Sequence, residues 1–318
     1  MPTPHRSRPW PKAGPNHHSF REDLPTRDNT TLLEASDEPS PIATRDRTRA
    51  RHVCDRGPVQ PRRSARAITD ALQAAGKSLD RLSINDLGLL DEFHLLGRAA
   101  TTDLADLAAI QAEDHLLDIG AGLGGPARLL AQSYGCHMTT VDLSADYCET
   151  AEWLNSATGL SERITVVHAD ALRLPFPDGS FDVVWSQHAQ MNIADKRRLY
   201  GEARRVLRDG GRLAVWDIIA GPVQPIHFPV PWADTPDISF LAHSDELRQL
   251  LHDSGFEVTA WNDLTSQTIE SLRAQMAGPA GPTGLQTYVP NFPTKTANLL
   301  LNLKEQRIRM LQAVFTCE

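Results

Sequence analysis

Residues 118–125 read Asp-Ile-Gly-Ala-Gly-Leu-Gly-Gly, a glycine-rich turn that few folds can accommodate. It overlaps a short apolar run at residues 116–119 and precedes a proline, which the first turn of a helix tolerates. The pattern predicts a strand, a tight turn and a helix. Ligands of open α/β sheets bind at the carboxyl edge of the strands, where this turn lies. Because Gly120, Gly122 and Gly124 lack a Cβ atom, a bulky cofactor can approach their backbone closely.

Apolar runs of β type alternate with amphipathic helical stretches after this turn. Such alternation predicts βαβ units, and therefore an α/β fold with a doubly wound, mostly parallel sheet. Residues 67–75 and 87–109 have helical composition and spacing, so we expect them to form cap helices ahead of the sheet. An excursion at about 262–306 near the substrate side is expected before the last strand. The predicted strands are residues 116–119, 138–141, 164–167, 183–185, 213–216, 256–261 and 307–315.

Residues 1–66 differ in composition from the rest of the chain. They hold 13 Lys and Arg residues against 8 Asp and Glu, and 10 of the 22 prolines. Since such a segment cannot bury enough apolar surface to offset chain entropy, we predict a disordered, basic head followed by a folded domain over residues 67–318. The whole chain nevertheless carries a net charge of -8, so the domain is acidic. An acidic domain argues against nucleic acid as a partner.

The remaining composition points to a small-molecule enzyme. No run approaches the roughly 18 apolar residues that would suggest a membrane span. The 4 cysteines have neither the spacing of a metal site nor that of a disulfide framework. We therefore expect a cytoplasmic protein with no metal ion, no membrane span and a small molecule as its partner. The sequence leaves the oligomeric state open, a homodimer included.

The glycine-rich turn by itself fits two cofactors. Gly120, Gly122 and Gly125 match the dinucleotide fingerprint of NAD-dependent oxidoreductases, and Asp142 follows about 20 residues downstream, as that fingerprint requires. Asp118 favours a different cofactor, because its carboxylate would repel a pyrophosphate but attract the ammonium of a methionine group. This charge argument indicates S-adenosylmethionine.

Five segments form an ordered set of motifs. They are residues 117–125 (Leu-Asp-Ile-Gly-Ala-Gly-Leu-Gly-Gly), 141–144 (Val-Asp-Leu-Ser), 169–171 (Ala-Asp-Ala), 175–182 (Pro-Phe-Pro-Asp-Gly-Ser-Phe-Asp) and 205–213 (Arg-Val-Leu-Arg-Asp-Gly-Gly-Arg-Leu). With these motifs the chain resembles class I methyltransferases of the ubiquinone/menaquinone C-methyltransferase type, over about residues 85–262. The resemblance implies S-adenosylmethionine as cofactor and a seven-stranded sheet whose last strand is antiparallel.

The resemblance also implies roles for residues around the cofactor. Asp142 is expected to bind the ribose diol, Leu143 to pack on the adenine, and Ser186 to face the methionine part. Asp142 as a helix cap is the structural alternative for that position. The full set of expected cofactor contacts is Asp118, Gly120, Gly122, Gly124, Asp142, Leu143, Asp170, Ala171, Ser186 and Gln187.

Residues 185–196 follow the fourth predicted strand and should overhang the methyl group. They resemble the corresponding stretch of tocopherol, phosphoethanolamine and sarcosine/dimethylglycine methyltransferases, in which an acid stands at His188 and a histidine at Asn192. We predict His188 and Asn192 as catalytic residues; an imidazole can take a proton near neutral pH, and the sequence leaves open whether His188 acts as a base. An ordinary structural histidine is the alternative for His188. Substrate contacts are predicted for His94, Gln190, His227 and Trp232.

These resemblances favour methyl transfer to a small amine such as sarcosine or dimethylglycine. Methylation of carbon or oxygen in a quinone, a terpenoid or another specialised metabolite is the alternative. An NAD-dependent oxidoreductase and a non-catalytic cofactor-binding module are alternatives of another class.

Overall fold

The computed structural model describes residues 63–88, 90, 92–277, 284–287 and 289–317. The predicted head at residues 1–66 lies outside them, apart from its last four residues, which belong to the first helix. The helices are α1 (Arg63–Ala74), α2 (Ile84–Leu87), α3 (Gly97–Leu107), α4 (Gly125–Tyr134), α5 (Ala145–Ala157), α6 (Lys196–Val206), α7 (Ser244–Asp253), α8 (Thr265–Ala277) and α9 (Phe292–Lys304).

Seven strands form one sheet. They are β1 (His115–Ile119), β2 (His137–Asp142), β3 (Ile164–His168), β4 (Phe181–Gln187), β5 (Leu207–Ala220), β6 (Phe256–Asp263) and β7 (Ile308–Cys317). Their order is β3-β2-β1-β4-β5-β7-β6, and the neighbours are parallel except for the two pairs that contain β7. The prediction of a doubly wound, mostly parallel sheet with an antiparallel last strand is confirmed.

The strand order reverses between β1 and β4, and this reversal opens a crevice at the carboxyl edge of the sheet. The strand ends are level there, because Asp118 pairs with Trp185 and Ile119 with Val141. Residues that follow these strands therefore meet at one edge of the sheet.

Local signals at the helix ends set where each chain segment leaves this edge. A proline occupies the first turn of α4, where its missing N–H costs nothing. Ser144 precedes α5, and its Oγ accepts a hydrogen bond from the backbone of Tyr147 at 3.3 Å. Asp195 caps α6 in the same way, with Arg198 N donating at 3.0 Å.

Alternate residues of the strands face two separate hydrophobic layers. Trp185 and Trp216, both 0% exposed, lie in the layer that also contains parts of α3, α4, α8 and α9. Val184 and Val215 lie in the opposite layer, which contains parts of α6 and α7. A smaller cluster joins α1 to α5 through residues such as Leu72 and Leu154.

The predicted excursion at about 262–306 is mostly helical. It contains α8 and α9, and both helices contact β7. Most of its glycine- and proline-rich part, residues 278–283, lies outside the described residues. The two helices place apolar side chains near the carboxyl edge of the sheet, where they form part of the cavity described below.

Candidate active site

The glycine-rich turn after β1 adopts a backbone that favours glycine. Gly120, Gly122 and Gly124 have φ values of 72°, 56° and 77°. A Cβ atom on Gly120 would lie 2.5 Å from the Cβ of Ala189, which no real pair of such atoms tolerates. Position 120 therefore has no room for a side chain, and the turn packs directly against the segment that follows β4.

Asp118 presents a buried carboxylate behind this turn. The residue is 2% exposed, and its Oδ2 atom has no hydrogen-bond partner within the described part of the chain. Burial, and secondly the nearby charge of Asp142, raise the pKa of Asp118 from its ordinary 3.8 to about 8. A buried carboxylate oxygen without a partner is costly, so this position suits the ammonium group of a bound ligand.

Asp142 lies at the end of β2 and faces the same turn. Its two carboxylate oxygens accept hydrogen bonds from Gly122 N and Ser144 N, each at 2.8 Å. A carboxylate has about four lone-pair sites, so both oxygens can still accept hydroxyl donors. The next side chain, Leu143, is 70% exposed and offers an apolar surface to a flat ring. Asp142 thus holds the glycine-rich turn and the start of the next segment. Its carboxylate can still accept hydrogen bonds from the two hydroxyl groups of a ribose diol.

The other expected cofactor residues lie at the ends of β3 and β4. Asp170 is exposed, and its Oδ1 accepts a hydrogen bond from Leu172 N at 2.9 Å, which is a turn contact. Ala171 is half-buried beside it. Ser186 and Gln187 are each 7% exposed at the end of β4. The structure brings all ten expected residues to the carboxyl edges of four adjacent strands, and their contacts with a cofactor stay predictions.

These residues fit S-adenosylmethionine on three observations. The glycine-rich turn exposes backbone without side chains. The buried Oδ2 atom of Asp118 has no hydrogen-bond partner among the described residues and can pair with a cation. The carboxylate of Asp142 lies beside the exposed apolar side chain of Leu143. A dinucleotide would place its pyrophosphate near the carboxylate of Asp118, where like charges repel.

A cavity of about 630 Å³ opens next to this edge. Its walls come from the segment before α3, the segments after β4 and β5, and the excursion that contains α8 and α9. The described lining residues include no lysine and no arginine. Most of them are apolar, among them Met191, Ile218, Trp232, Leu272, Phe292 and Leu299.

One corner of the cavity is polar. Glu92 and His94 are 3% and 9% exposed, and the Nε2 atom of His94 lies 2.7 Å from Oε2 of Glu92. The ring of His188 stands edge-on to that of His94, with 6.4 Å between the ring centres. His94, which we predicted as a substrate contact, therefore does face the cavity.

His188 lines the cavity in a left-handed backbone conformation, with φ of 52°. Its Nε2 atom is buried and has no partner among the described residues. Burial, and secondly the neighbouring His94, lower the pKa of His188 from its ordinary 6.5 to about 3. This environment favours the neutral ring, so burial argues against His188 as a proton acceptor near neutral pH. A catalytic contact through its neutral ring stays a prediction.

Three of the expected residues do not line the cavity. Asn192 donates from Nδ2 to the carbonyl oxygens of Trp232 at 2.9 Å and Ile238 at 3.2 Å, so it ties two loops together. Gln190 is 1% exposed, and its Oε1 accepts a hydrogen bond from the Tyr200 hydroxyl at 3.4 Å. The catalytic prediction for Asn192 and the substrate prediction for Gln190 therefore have no support in the geometry.

His227 is the third residue outside the cavity lining. Its side chain is 39% exposed, and Nε2 lies 2.8 Å from Oε2 of Glu305 on the surface. Trp232, from the same predicted aromatic loop, does line the cavity, and its Nε1 donates to Ser239 Oγ at 2.9 Å. Within that loop Trp232 and the preceding Pro231 line the cavity, whereas His227 does not.

Sequence reasoning missed several residues that build the site. Asp217 is 0% exposed, and Oδ2 accepts hydrogen bonds from Ala189 N and Gln190 N, so it fixes the segment that carries His188. Lys196 donates to the carbonyl oxygens of the same segment. Glu92 was overlooked although it stands two positions before His94, which was a usable signal. The cavity-lining residues of α8 and α9 could not be predicted from the sequence. An apolar helix face has the same residue pattern whether it packs on a core or lines a cavity.

Within the described residues, no group of three or more His, Cys, Asp and Glu side chains could hold a metal ion. The described helices also include none that is long and apolar enough to cross a membrane.

Comparisons with known proteins agree with this geometry. Residues 117–215 match the family model described as a methyltransferase domain. The chain is 36% identical, over 155 residues, to a sarcosine/dimethylglycine N-methyltransferase of Halorhodospira halochloris; the match covers 49% of this chain and 56% of the relative. It is 38% identical, over 135 residues, to a 27-O-demethylrifamycin SV methyltransferase of Amycolatopsis mediterranei, covering 42% and 50%. The chain thus spans about half the length of these relatives.

The solved structures show a similar fold. Geranyl diphosphate C-methyltransferase from Streptomyces coelicolor A3(2), in complex with Mg²⁺, geranyl diphosphate and S-adenosyl-L-homocysteine, superposes with a TM-score of 0.58 at 18% identity. The superposition covers 69% of this chain and 79% of the other. The family match favours the methionine-based cofactor over the dinucleotide for the glycine-rich turn.

Proposed function

We propose that this chain, which belongs to the class I S-adenosylmethionine-dependent methyltransferases, transfers a methyl group to a bulky, uncharged small molecule. The observation that carries the proposal is the apolar cavity of about 630 Å³ beside the cofactor edge, whose described lining includes no lysine or arginine. A cavity of this size and polarity suits an acceptor that is mostly hydrocarbon.

The residues of the described lining bear on the charge of the acceptor. Sarcosine and dimethylglycine carry a carboxylate, and geranyl diphosphate carries a diphosphate. Buried anions of this kind need a charged or hydrogen-bonding partner, most often arginine. Glu92, a buried acid in the lining, would repel them. We therefore favour the uncharged specialised metabolite over the glycine derivative as the acceptor.

The proposed roles of the residues follow from their positions. The cofactor supplies a methyl group on a positively charged sulfonium, which is already a good leaving group. Asp118 and Asp142 orient the amino-acid and ribose parts at the edge of the sheet. Trp232 and Leu299 hold the acceptor in the adjoining cavity and exclude water. Holding the two reactants in line supplies most of the rate that such a displacement needs.

Methylation of a small amine is the second candidate function. It is supported by the 36% identity to the sarcosine/dimethylglycine N-methyltransferase, and a buried glutamate at the cavity could attract an ammonium group. An amine without a carboxylate would agree with the similarity to the N-methyltransferase. It would also need no cationic partner, in keeping with a described lining that includes no lysine or arginine.

A labelling experiment separates these candidates. The full chain would be incubated with methyl-labelled S-adenosylmethionine and, in parallel, with 4-heptylphenol, heptylamine, sarcosine and phosphoethanolamine. The proposal predicts label in 4-heptylphenol and none in sarcosine or phosphoethanolamine. Label in heptylamine or sarcosine, with none in 4-heptylphenol, would overturn it in favour of the amine function.

A further inference from the structure

We infer that Asn298 and Asn302, two asparagines on one face of α9, set the width of the acceptor cavity and thereby which acceptors fit it. The inference rests on the proposed function and adds specificity-determining residues to it. Neither asparagine is among the described residues that line the cavity. Both instead bind the backbone of the loop that carries Trp232, so they act by positioning that loop.

Asn302 holds His227 through both polar atoms of its amide group. Its Oδ1 accepts a hydrogen bond from His227 N at 2.7 Å, and its Nδ2 donates to His227 O at 2.9 Å. The residue is 0% exposed. An amide side chain can donate and accept at the same time, which a carboxylate cannot. Because a buried backbone group without a partner is costly, these two bonds fix the loop firmly on α9.

Asn298 adds a second attachment one helical turn earlier. Its Nδ2 donates to Pro229 O at 2.9 Å. Residues four apart lie on the same face of a helix, so both asparagines meet the same loop. Lys295, whose side chain is 7% exposed, lies on that face too and pairs with Asp234 at 2.9 Å. Three positions of α9 therefore hold the loop over residues 227–234.

The loop that α9 holds carries one wall of the cavity. Val230 N donates to Ala233 O at 2.8 Å, and Ala233 N donates to Val230 O at 3.1 Å, so residues 230–233 form a closed turn. Pro231 and Trp232 stand at the tip of this turn, and both line the cavity. The turn directly follows the backbone that the two asparagines bind, so its position depends on them.

A second wall belongs to α9 itself. Phe292, Thr296 and Leu299 line the cavity, at helical positions i, i+4 and i+7. The helix thus presents one face to the cavity and holds the Trp232 loop with another. The amide hydrogen bonds therefore fix the distance between two walls of the same cavity.

A fixed distance between two walls selects acceptors by shape. A group wider than the space between them forces side chains out of their preferred rotamers, and this strain disfavours binding. The strain persists only while the walls cannot separate. Loss of the amide hydrogen bonds should let the loop move away from α9, so the discrimination against wide acceptors should fall.

The test compares two phenols of different width, 4-heptylphenol and 4-(1-adamantyl)phenol, with methyl-labelled S-adenosylmethionine and the full chain. We expect Asn302→Ala to lower the preference for the slim phenol, measured as a ratio of kcat/KM values, by about tenfold or more. Asn298→Ala, at a half-buried position, should lower the ratio less and is the milder variant should Asn302→Ala fail to fold. For 4-heptylphenol KM should rise while kcat stays within about threefold, because the reacting groups are untouched.

Asn262→Ala is the matched control. Asn262 Nδ2 donates to Gln312 Oε1 at 2.9 Å between β6 and β7, and neither residue is part of the described cavity lining, so the ratio should not change. Stabilisation of each variant by S-adenosylhomocysteine in a melting experiment verifies folding. An unchanged ratio in the folded variants of Asn298 and Asn302 would overturn the inference, as would an equal loss of kcat on both phenols.

Two amines separate failure of the inference from failure of the proposed function. Label in heptylamine and in neither phenol would overturn the uncharged acceptor, and heptylamine with 1-adamantylamine then gives the same comparison of widths. A shifted ratio for these amines would support the inference, and an unchanged one would overturn it. No labelled product and no stabilisation of the wild type by S-adenosylhomocysteine would overturn the proposed function itself.

Discussion

Two carboxylates, Asp118 and Asp142, meet the same glycine-rich turn in different states. Asp142 is only half-buried and its oxygens accept two backbone hydrogen bonds, so its negative charge is supported. Asp118 is buried with one oxygen unpartnered within the described residues, so its charge is penalised until a cation arrives. The pair thus suits two tasks: Asp142 supports the turn, and we propose that Asp118 binds the ammonium group of the cofactor.

The raised pKa of Asp118 predicts pH-dependent cofactor binding. Because the pKa of about 8 lies above the ordinary 3.8, the carboxyl is mostly protonated at pH 7 and loses its proton when an ammonium binds. The affinity for S-adenosylhomocysteine should then rise by up to about tenfold per pH unit between pH about 6 and 8, and level off above. Titration calorimetry in buffers of different ionisation enthalpy should detect the released proton.

Two controls isolate this effect. Asp118→Asn should remove the pH dependence, and 5′-methylthioadenosine, which lacks the amino-acid part, should bind the wild type with no such dependence. An unchanged slope in Asp118→Asn would show that another group titrates.

Asp142→Asn should weaken binding of S-adenosylhomocysteine. A hydrogen bond to a charged group contributes about 1.5–3 kcal/mol, so Kd should rise about tenfold to a hundredfold. The substitution also disturbs the contact with Gly122 N, which holds the turn. Equilibrium dialysis with the labelled ligand measures the change, and a Kd within about twofold of the wild type would contradict the ribose assignment.

At the scale of elements, the sequence predicted the alternating strands and helices but not the side-chain directions in the segment after β4. The seven strands were readable because apolar β-type runs alternate with helical ones, and five motifs located the cofactor edge. Side-chain directions in the segment after β4 were not readable. His188 has φ of 52°, and Asn192 points away to the backbone of Trp232. The spacing of residues along the chain does not predict these backbone and side-chain directions, because tertiary contacts determine them.

The position of Asn192 yields a test of its role. Asn192→Ala removes two hydrogen bonds to the loop that carries Trp232, a wall of the cavity. We expect KM for the acceptor to rise by about tenfold or less, with little change in kcat or in cofactor affinity, because the loop loosens and the chemistry is untouched. Steady-state kinetics distinguish this from the catalytic role that the sequence suggested, which would lower kcat by about a hundredfold or more.

At the scale of the whole molecule, the excursion that contains α8 and α9 supplies much of the cavity wall beside the sheet. The match to the methyltransferase-domain model spans residues 117–215, which contain the glycine-rich turn and the strands beside it. The cavity wall comes largely from the cap segment near His94 and from α8 and α9, which the family match over residues 117–215 does not include. Relatives with similar cofactor edges can therefore differ in acceptor.

The cavity predicts a dependence on acceptor size. In a series of 4-alkylphenols from methyl to heptyl, each added methylene should gain about 0.8 kcal/mol of burial, or about fourfold in kcat/KM, until the cavity of about 630 Å³ is filled. Steady-state rates with labelled cofactor measure the series. A flat series would contradict an apolar acceptor site.

A crystal structure with bound S-adenosylhomocysteine would show whether the cofactor lies at the carboxyl edge of the sheet and faces the apolar cavity. We expect the amino group of the ligand within hydrogen-bond distance of Asp118, the ribose at Asp142 and the sulfur facing the cavity beside His94 and His188. A ligand whose sulfur faces away from that cavity, or whose amino-acid part lies far from Asp118, would contradict it.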